Sequence, residues 1–199
     1  MSAETTLKVE CVESTATYGR FIAEPLEPGE GLTLGNALRR NLLSALAGAA
    51  VSWIRIDGAQ HEFSSIPYMK EDAMEFVLNV KGLRLRPLSG RPAMLTLEVE
   101  REGKVTAADI TPSNDFQVVN PELYLGALNS PEAKLRVEMN VELGKGYIFA
   151  GPIEGQPIGI IPIDAIFTPV RKVNYSSEPI HIGQGTGYER LNLEVWTDG

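Results

Sequence analysis

Three stretches of the chain alternate apolar and polar residues with a period of two. Leu95, Leu97 and Val99 alternate with Thr96, Glu98 and Glu100. Leu135, Val137, Met139, Val141 and Leu143 alternate with Arg136, Glu138, Asn140 and Glu142. Leu191, Leu193 and Val195 alternate with Asn192 and Glu194. Each run predicts a strand with one face on a core and one in water. Less regular strands are predicted over 7–12, 20–24, 51–57, 117–119, 158–163 and 170–175, and many of the 13 Pro and 19 Gly fall between them. Two segments follow the helical period instead. One is 34–46, with Thr33 as N-cap and Gly48 just past its end. The other is 67–80, with Pro67 pre-set for the first turn, Gly82 as the stop, and Met69, Ala73, Phe76, Val77 and Val80 at helical spacing. Two helices among roughly ten strands predict an α+β fold, β-rich and mainly antiparallel.

On a wheel of about 100° per residue, Leu34, Leu38, Leu42, Ala45 and Leu46 share one stripe of the first helix. Asn36, Arg39, Arg40 and Ser44 occupy the opposite side. Leu43 sits among them, either as a tolerated surface leucine or as an anchor for something docking there. Two arginines beside an apolar anchor make the mixed surface that interface centres favour. Asn41 intrudes on the apolar stripe, which implies a polar network or a partly open seam.

Composition narrows the function classes. With 18 Lys+Arg against 26 Asp+Glu the formal charge is −8, which argues against a broad basic face for duplex DNA. Hydrophobic residues at 43% and charged residues at 22% are those of an ordinary globular protein with a core. Cys11 is the single cysteine, so neither an internal disulfide nor a thiolate zinc site is expected. No apolar run reaches a membrane span and the first residues lack a secretory pattern, so a cytoplasmic protein is expected.

The run LGNALRRNLLSAL at 34–46, preceded by EPLEPGEGLT at 24–33, closely resembles the first helix of the bacterial RNA polymerase α subunit N-terminal domain. The resemblance continues in order through HEFSSIP at 61–67, EDAMEFVLNVKGLRLR at 71–86, VTAADI at 105–110 and GKGY at 144–147. It ends with PIDAIFTPVRKVNY at 162–175 and LNLEVWTDG at 191–199, so that nearly the whole chain is covered. The resemblance implies a discontinuous dimerisation domain, 1–48 with 169–199, and an inserted β-rich domain, 49–168. It also implies an assembly scaffold: a homodimer that recruits the β and β′ subunits into the DNA-dependent RNA-synthesising core, a nucleotidyltransferase. Carried over by position, Arg40 and Leu43 would meet β, and Lys81 and Ile163 would meet β′. Leu34, Leu38, Asn41, Leu42 and Leu46 would lie on the dimer helix. Lys81 at a helix end is equally explained by the helix dipole, and Ile163 reads on pattern as core. Arg171 and Lys172 are a solvated strand face or a patch for an acidic partner surface.

Two departures from the family pattern stand out. Its members usually carry an aliphatic residue where this chain has Asn41, so the helix packing in the dimer is expected to differ. They also continue past WTDG into a long helix, a linker and a DNA-binding domain, whereas this sequence stops at Gly199. Dimerisation is therefore expected to be weakened or completed by residues outside it, without direct DNA binding.

A nucleotide site at Gly29, Gly31 and Gly35 is the rival reading, because helix N-termini attract phosphate. The spacing is one residue longer than the dinucleotide fingerprint, and the pattern after residue 83 is almost purely strand rather than βα units. His61-Glu62 has no following metal-ligand spacing, and Cys11 has no nearby histidine. Glu71, Asp72 and Glu75 fit the start of a helix better than an acid/base site. No catalytic set, cofactor or metal is expected in this chain.

Overall fold

The computed structural model describes residues 6–151, 157–182 and 185–198. The fold is α+β and β-rich, with antiparallel pairing throughout the described strands. The chain divides into two compact units, Met1–Leu46 with Thr168–Gly199, and Ala47–Phe167. No described helix is long and apolar enough to cross a membrane.

The first unit is a four-stranded sheet carrying one helix. Strands β1 (Lys8–Ser14), β2 (Tyr18–Leu26), β14 (Gly185–Thr197) and β13 (Val170–Ile182) lie in the order β1-β2-β14-β13. Helix α1 (Glu30–Ser44) packs on β13 and β14. Alternation on β14 turns Leu191, Leu193 and Val195 toward α1, where Leu191 joins Ala23 and Leu26 in one cluster. A second cluster gathers Val170, Val173 and Val195.

The second unit holds the main core. Strands β5 (Ala93–Val99), β9 (Leu135–Lys145), β3 (Ala47–Ile56), β4 (Leu85–Pro87) and β7 (Phe116–Val118) follow that order, with β11 (Ile160–Pro162) also on β3. Two ribbons complete it, β6 (Gly103–Thr106) with β8 (Tyr124–Leu128), and β10 (Tyr147–Ile148) with β12 (Ala165–Ile166). Leu95, Leu97, Val137, Met139 and Val141 from the alternating runs are all buried, and helix α2 (Ala73–Val80) adds Phe76 and Val80 to them. The even positions of the same strands stay outward and pair charges across the sheet, as Arg136 does with Glu98.

Both helix starts differ from expectation. Helix α1 begins at Glu30, so Thr33 is inside its first turn and donates its hydroxyl to the Gly29 carbonyl instead of capping. Its end also comes early: Leu46 lies past the helix and Gly48 is within β3, where a Cβ would strike the Phe167 carbonyl oxygen. Helix α2 begins at Ala73, not at Pro67. Asp72 accepts the Glu75 N–H at 2.8 Å and Glu75 reaches back to the Asp72 N–H, a reciprocal cap that sets the start. The six residues ahead of it form a turn in which Tyr68 has φ +60°.

Candidate assembly interface

Helix α1 is held against its sheet by contacts too close for side chains. A Cβ on Gly35 would fall 2.4 Å from the Tyr175 ring, and one on Gly31 would fall on the Ser177 hydroxyl. These two glycines let the helix backbone settle directly onto β13. The N-terminus has no side-chain cap of its own, since Gly29 at the N-cap has φ +86° and no side chain to offer. Glu189 on β14 supplies the missing acceptor. Its carboxylate accepts the Gly29 N–H at 2.9 Å, the Gly31 N–H at 3.0 Å and the Ser177 hydroxyl at 2.9 Å. The Gly29 N–H, the Ser177 hydroxyl and the Gly31 N–H hold this carboxyl below the usual glutamate range, against a smaller opposing effect of burial. Gly29 and Gly31 thus face an internal carboxylate where a phosphate would have to sit, and Gly35 lies inside the helix against Tyr175. That weighs against the nucleotide reading.

With α1 seated over β13 and β14, strand β1 is exposed along its whole length. An apolar groove of about 560 Å³ runs between α1 and the sheet. One wall is Leu34, Leu38, Leu42 and Leu46, and the other includes Val9, Phe21, Ala23, Leu193 and Val195. The leucine stripe therefore lines an open groove, and its residues are half-buried or exposed instead of sealed. Asn41 is exposed and donates its amide to the Ala37 carbonyl one turn back, at 2.9 Å. No buried polar network is involved.

The opposite side of α1 is split. Arg39 and Arg40 are exposed and have no ion-pair partner among the described residues. Leu43 departs from its sequence reading as a leucine standing free in the polar face. It is half-buried and packs with Leu42 onto Val170, Val173 and Val195. Arg171 and Lys172 are both engaged within the unit. Arg171 makes a bidentate pair with Asp198, and the Lys172 ammonium sits 4.6 Å from the centre of the Trp196 ring. The neighbouring Tyr18 donates its hydroxyl to Glu194 at 2.7 Å, which pushes the phenol up.

In the second unit, Lys81 caps the C-terminal end of α2 and its ammonium lies 3.1 Å from Asp164. Ile163 is 3% exposed and belongs to the core, so the residue of that run that faces Lys81 is Asp164. Asp164 also accepts the Ala150 N–H at 2.9 Å. The Ala150 N–H first, and the Lys81 ammonium second, hold its carboxyl below the usual aspartate range. Neither Glu189 nor Asp164 is marked by local sequence, because their partners lie 160 and 83 positions away.

Comparison with known proteins places this arrangement. Residues 54–168 match the family model for the RNA polymerase Rpb3/RpoA insert domain. The chain is 58% identical over 191 residues to the DNA-directed RNA polymerase subunit alpha of Dehalococcoides mccartyi, covering 96% of this chain and 58% of that one. It is 52% identical over 192 residues to the protein of the same name in Roseiflexus castenholzii, covering 96% of this chain and 59% of that one. With the one in Moorella thermoacetica the identity is 48% over 194 residues, covering 96% and 62%. The chain thus spans 58% to 62% of the length of these relatives.

Proposed function

The chain belongs to the RNA polymerase Rpb3/RpoA insert domain family, and from that premise we propose that it is the assembly scaffold of a bacterial-type RNA polymerase. The first unit, 1–46 with 168–199, self-associates through the α1 groove. The resulting homodimer recruits β and β′, and phosphodiester synthesis from nucleotides takes place in those larger partners. This chain then belongs to an enzyme as a subunit that supplies surfaces and no reacting group.

The observation that carries the reading is the division of labour on α1. Leu34, Leu38 and Leu42, with Leu46 just past the helix end, line an open apolar groove, while Arg39 and Arg40 stay exposed with no ion-pair partner among the described residues. An exposed contiguous apolar surface of this kind is costly in water and marks an interaction site. Self-association covers the leucines and leaves the arginines free, and a guanidinium can grip carboxylates or carbonyls in fixed geometry. On the β side Arg40 supplies that grip, with Leu43 fixing the helix beneath it. On the β′ side the surface is built around Lys81, with Ile163 as its buried floor.

Sedimentation of the purified chain, alone and with β, tests the proposal. Self-association and a β complex lost on Arg40→Ala, with the melting curve unchanged, are the expected results. A monomer that ignores β yet is stabilised by micromolar nucleotide would overturn it.

A further inference from the structure

In the β10–β12 ribbon, Tyr147 lies opposite Ile166, and Ile148 opposite Ala165. Successive side chains of an extended run point to opposite faces. Ile163 and Ala165 accordingly go inward, 3% and 1% exposed, while Asp164 and Ile166 go outward. On the outward side Tyr147 is 57% exposed, and Phe149 just beyond the strand is 74% exposed. The ribbon is braced from one point. Asp164 takes the Ala150 N–H on one oxygen and the Lys81 ammonium on the other. Lys81 therefore spends its charge inside its own unit.

We infer that the β′-facing surface is centred on the outward aromatic ribbon of Tyr147, Phe149 and Ile166. Lys81 and Asp164 are positioning residues that brace it. This rests on the assignment of Lys81 and Ile163 to the β′ side, with which the ribbon is continuous through the run 163–166. In that run only Asp164 and Ile166 face outward, so an apolar contact there must go through Ile166 and its cross-strand neighbour Tyr147. The occupant is an apolar segment of β′. Lys81 and Asp164 neutralise one another, so this pair offers no net charge to an ionic partner. Exposed aromatic side chains with an apolar neighbour are what the desolvated centre of an interface uses.

The experiment assembles the full-length chain with β and β′ and measures β′ retention, beside amide hydrogen exchange at Ala150. Phe149→Ser is expected to lower β′ retention roughly tenfold while leaving the complex with β intact. Lys81→Ala is expected to weaken β′ retention and to speed exchange at Ala150, because the brace is lost. Adding Lys81→Ala to Phe149→Ser should then cost little more, since both act through one surface. If Phe149→Ser keeps β′ while Lys81→Ala releases it with Ala150 exchange unchanged, Lys81 is itself the contact and the inference fails. A wild-type chain that holds β but never β′ would remove the underlying assignment, a result visible before any variant is compared.

Discussion

Glu189 accepts the backbone N–H of Gly31 at 3.0 Å, so the first turn of α1 is capped by a carboxylate from the far end of the chain. The same side chain holds the Gly29 N–H and the Ser177 hydroxyl, which ties the helix start to both β13 and β14. Because its folded-state pKa is depressed, this contribution is present above the ordinary glutamate value of about 4.3 and is lost as pH falls through the lower folded value. Glu189→Ala should lower the melting temperature at neutral pH, and the gap between variant and wild type should close as the medium becomes strongly acidic. Parallel melting curves across that range check it. A gap that widens on acidification would contradict the sign.

Gly35→Ala tests how tightly α1 is seated. Alanine gains helix propensity of about 1 kcal/mol over glycine, so on local grounds the variant should be more stable. The new methyl would fall 2.4 Å from the Tyr175 ring, and overpacking of that kind costs about 1–3 kcal/mol. A ring buttressed by the sheet cannot give way as the tip of a flexible side chain can, so the clash wins. Denaturant melts should show net destabilisation, with partial recovery when Tyr175→Ala is added.

Local sequence encodes some of these features and not others. The alternating strands around Leu97, Met139 and Leu191 were legible because burial acts on every second residue within a single strand. The start of α1 was not, since its cap comes from a residue 160 positions away. The start of α2 is legible in Asp72 and Glu75, which have the spacing of a reciprocal cap, but Pro67 offers a competing local start. The short strands β4, β6, β8, β10 and β12 leave no clear pattern, because two to five residues carry too little periodicity. Leu43 differs from its wheel position for another reason. A helical wheel assigns one buried face, whereas Val170 and Val173 of β13 pack against the flank of α1 as well.

Arg40→Ala and Leu43→Ala should therefore separate. Arg40 is exposed and unpaired among the described residues, so its truncation should leave stability within about 0.5 kcal/mol and act on β binding alone. Leu43 is half-buried, so Leu43→Ala should cost measurable stability, though less than the roughly 2–5 kcal/mol of a fully buried leucine. Binding to β corrected for the folded fraction, beside urea melts of each variant, distinguishes the two. Equal melts for both would return Leu43 to the free surface.

Glu71 and Tyr124 share a hydrogen bond in the second unit. The Tyr124 hydroxyl donates to Glu71 at 2.5 Å, and the Ala127 N–H donates to the other carboxylate oxygen at 2.9 Å. The hydrogen bond to Glu71, reinforced by burial and by the carboxylate charge, pushes the Tyr124 phenol up to about 12. Burial works to raise the Glu71 carboxyl, but the Tyr124 hydroxyl and the Ala127 N–H outweigh it and hold that group below the usual range. Removing the charge while keeping the shape, Glu71→Gln, should bring Tyr124 down toward the ordinary phenol value of about 10. The stabilisation linked to the raised phenol is fully present below its unfolded value and fades as pH climbs through the folded one. Ring-labelled tyrosine NMR, with Tyr124→Phe to assign the signal, reads the shift directly. A Tyr124 resonance that still titrates near 12 in Glu71→Gln would mean that the hydroxyl answers to burial and not to its carboxylate partner.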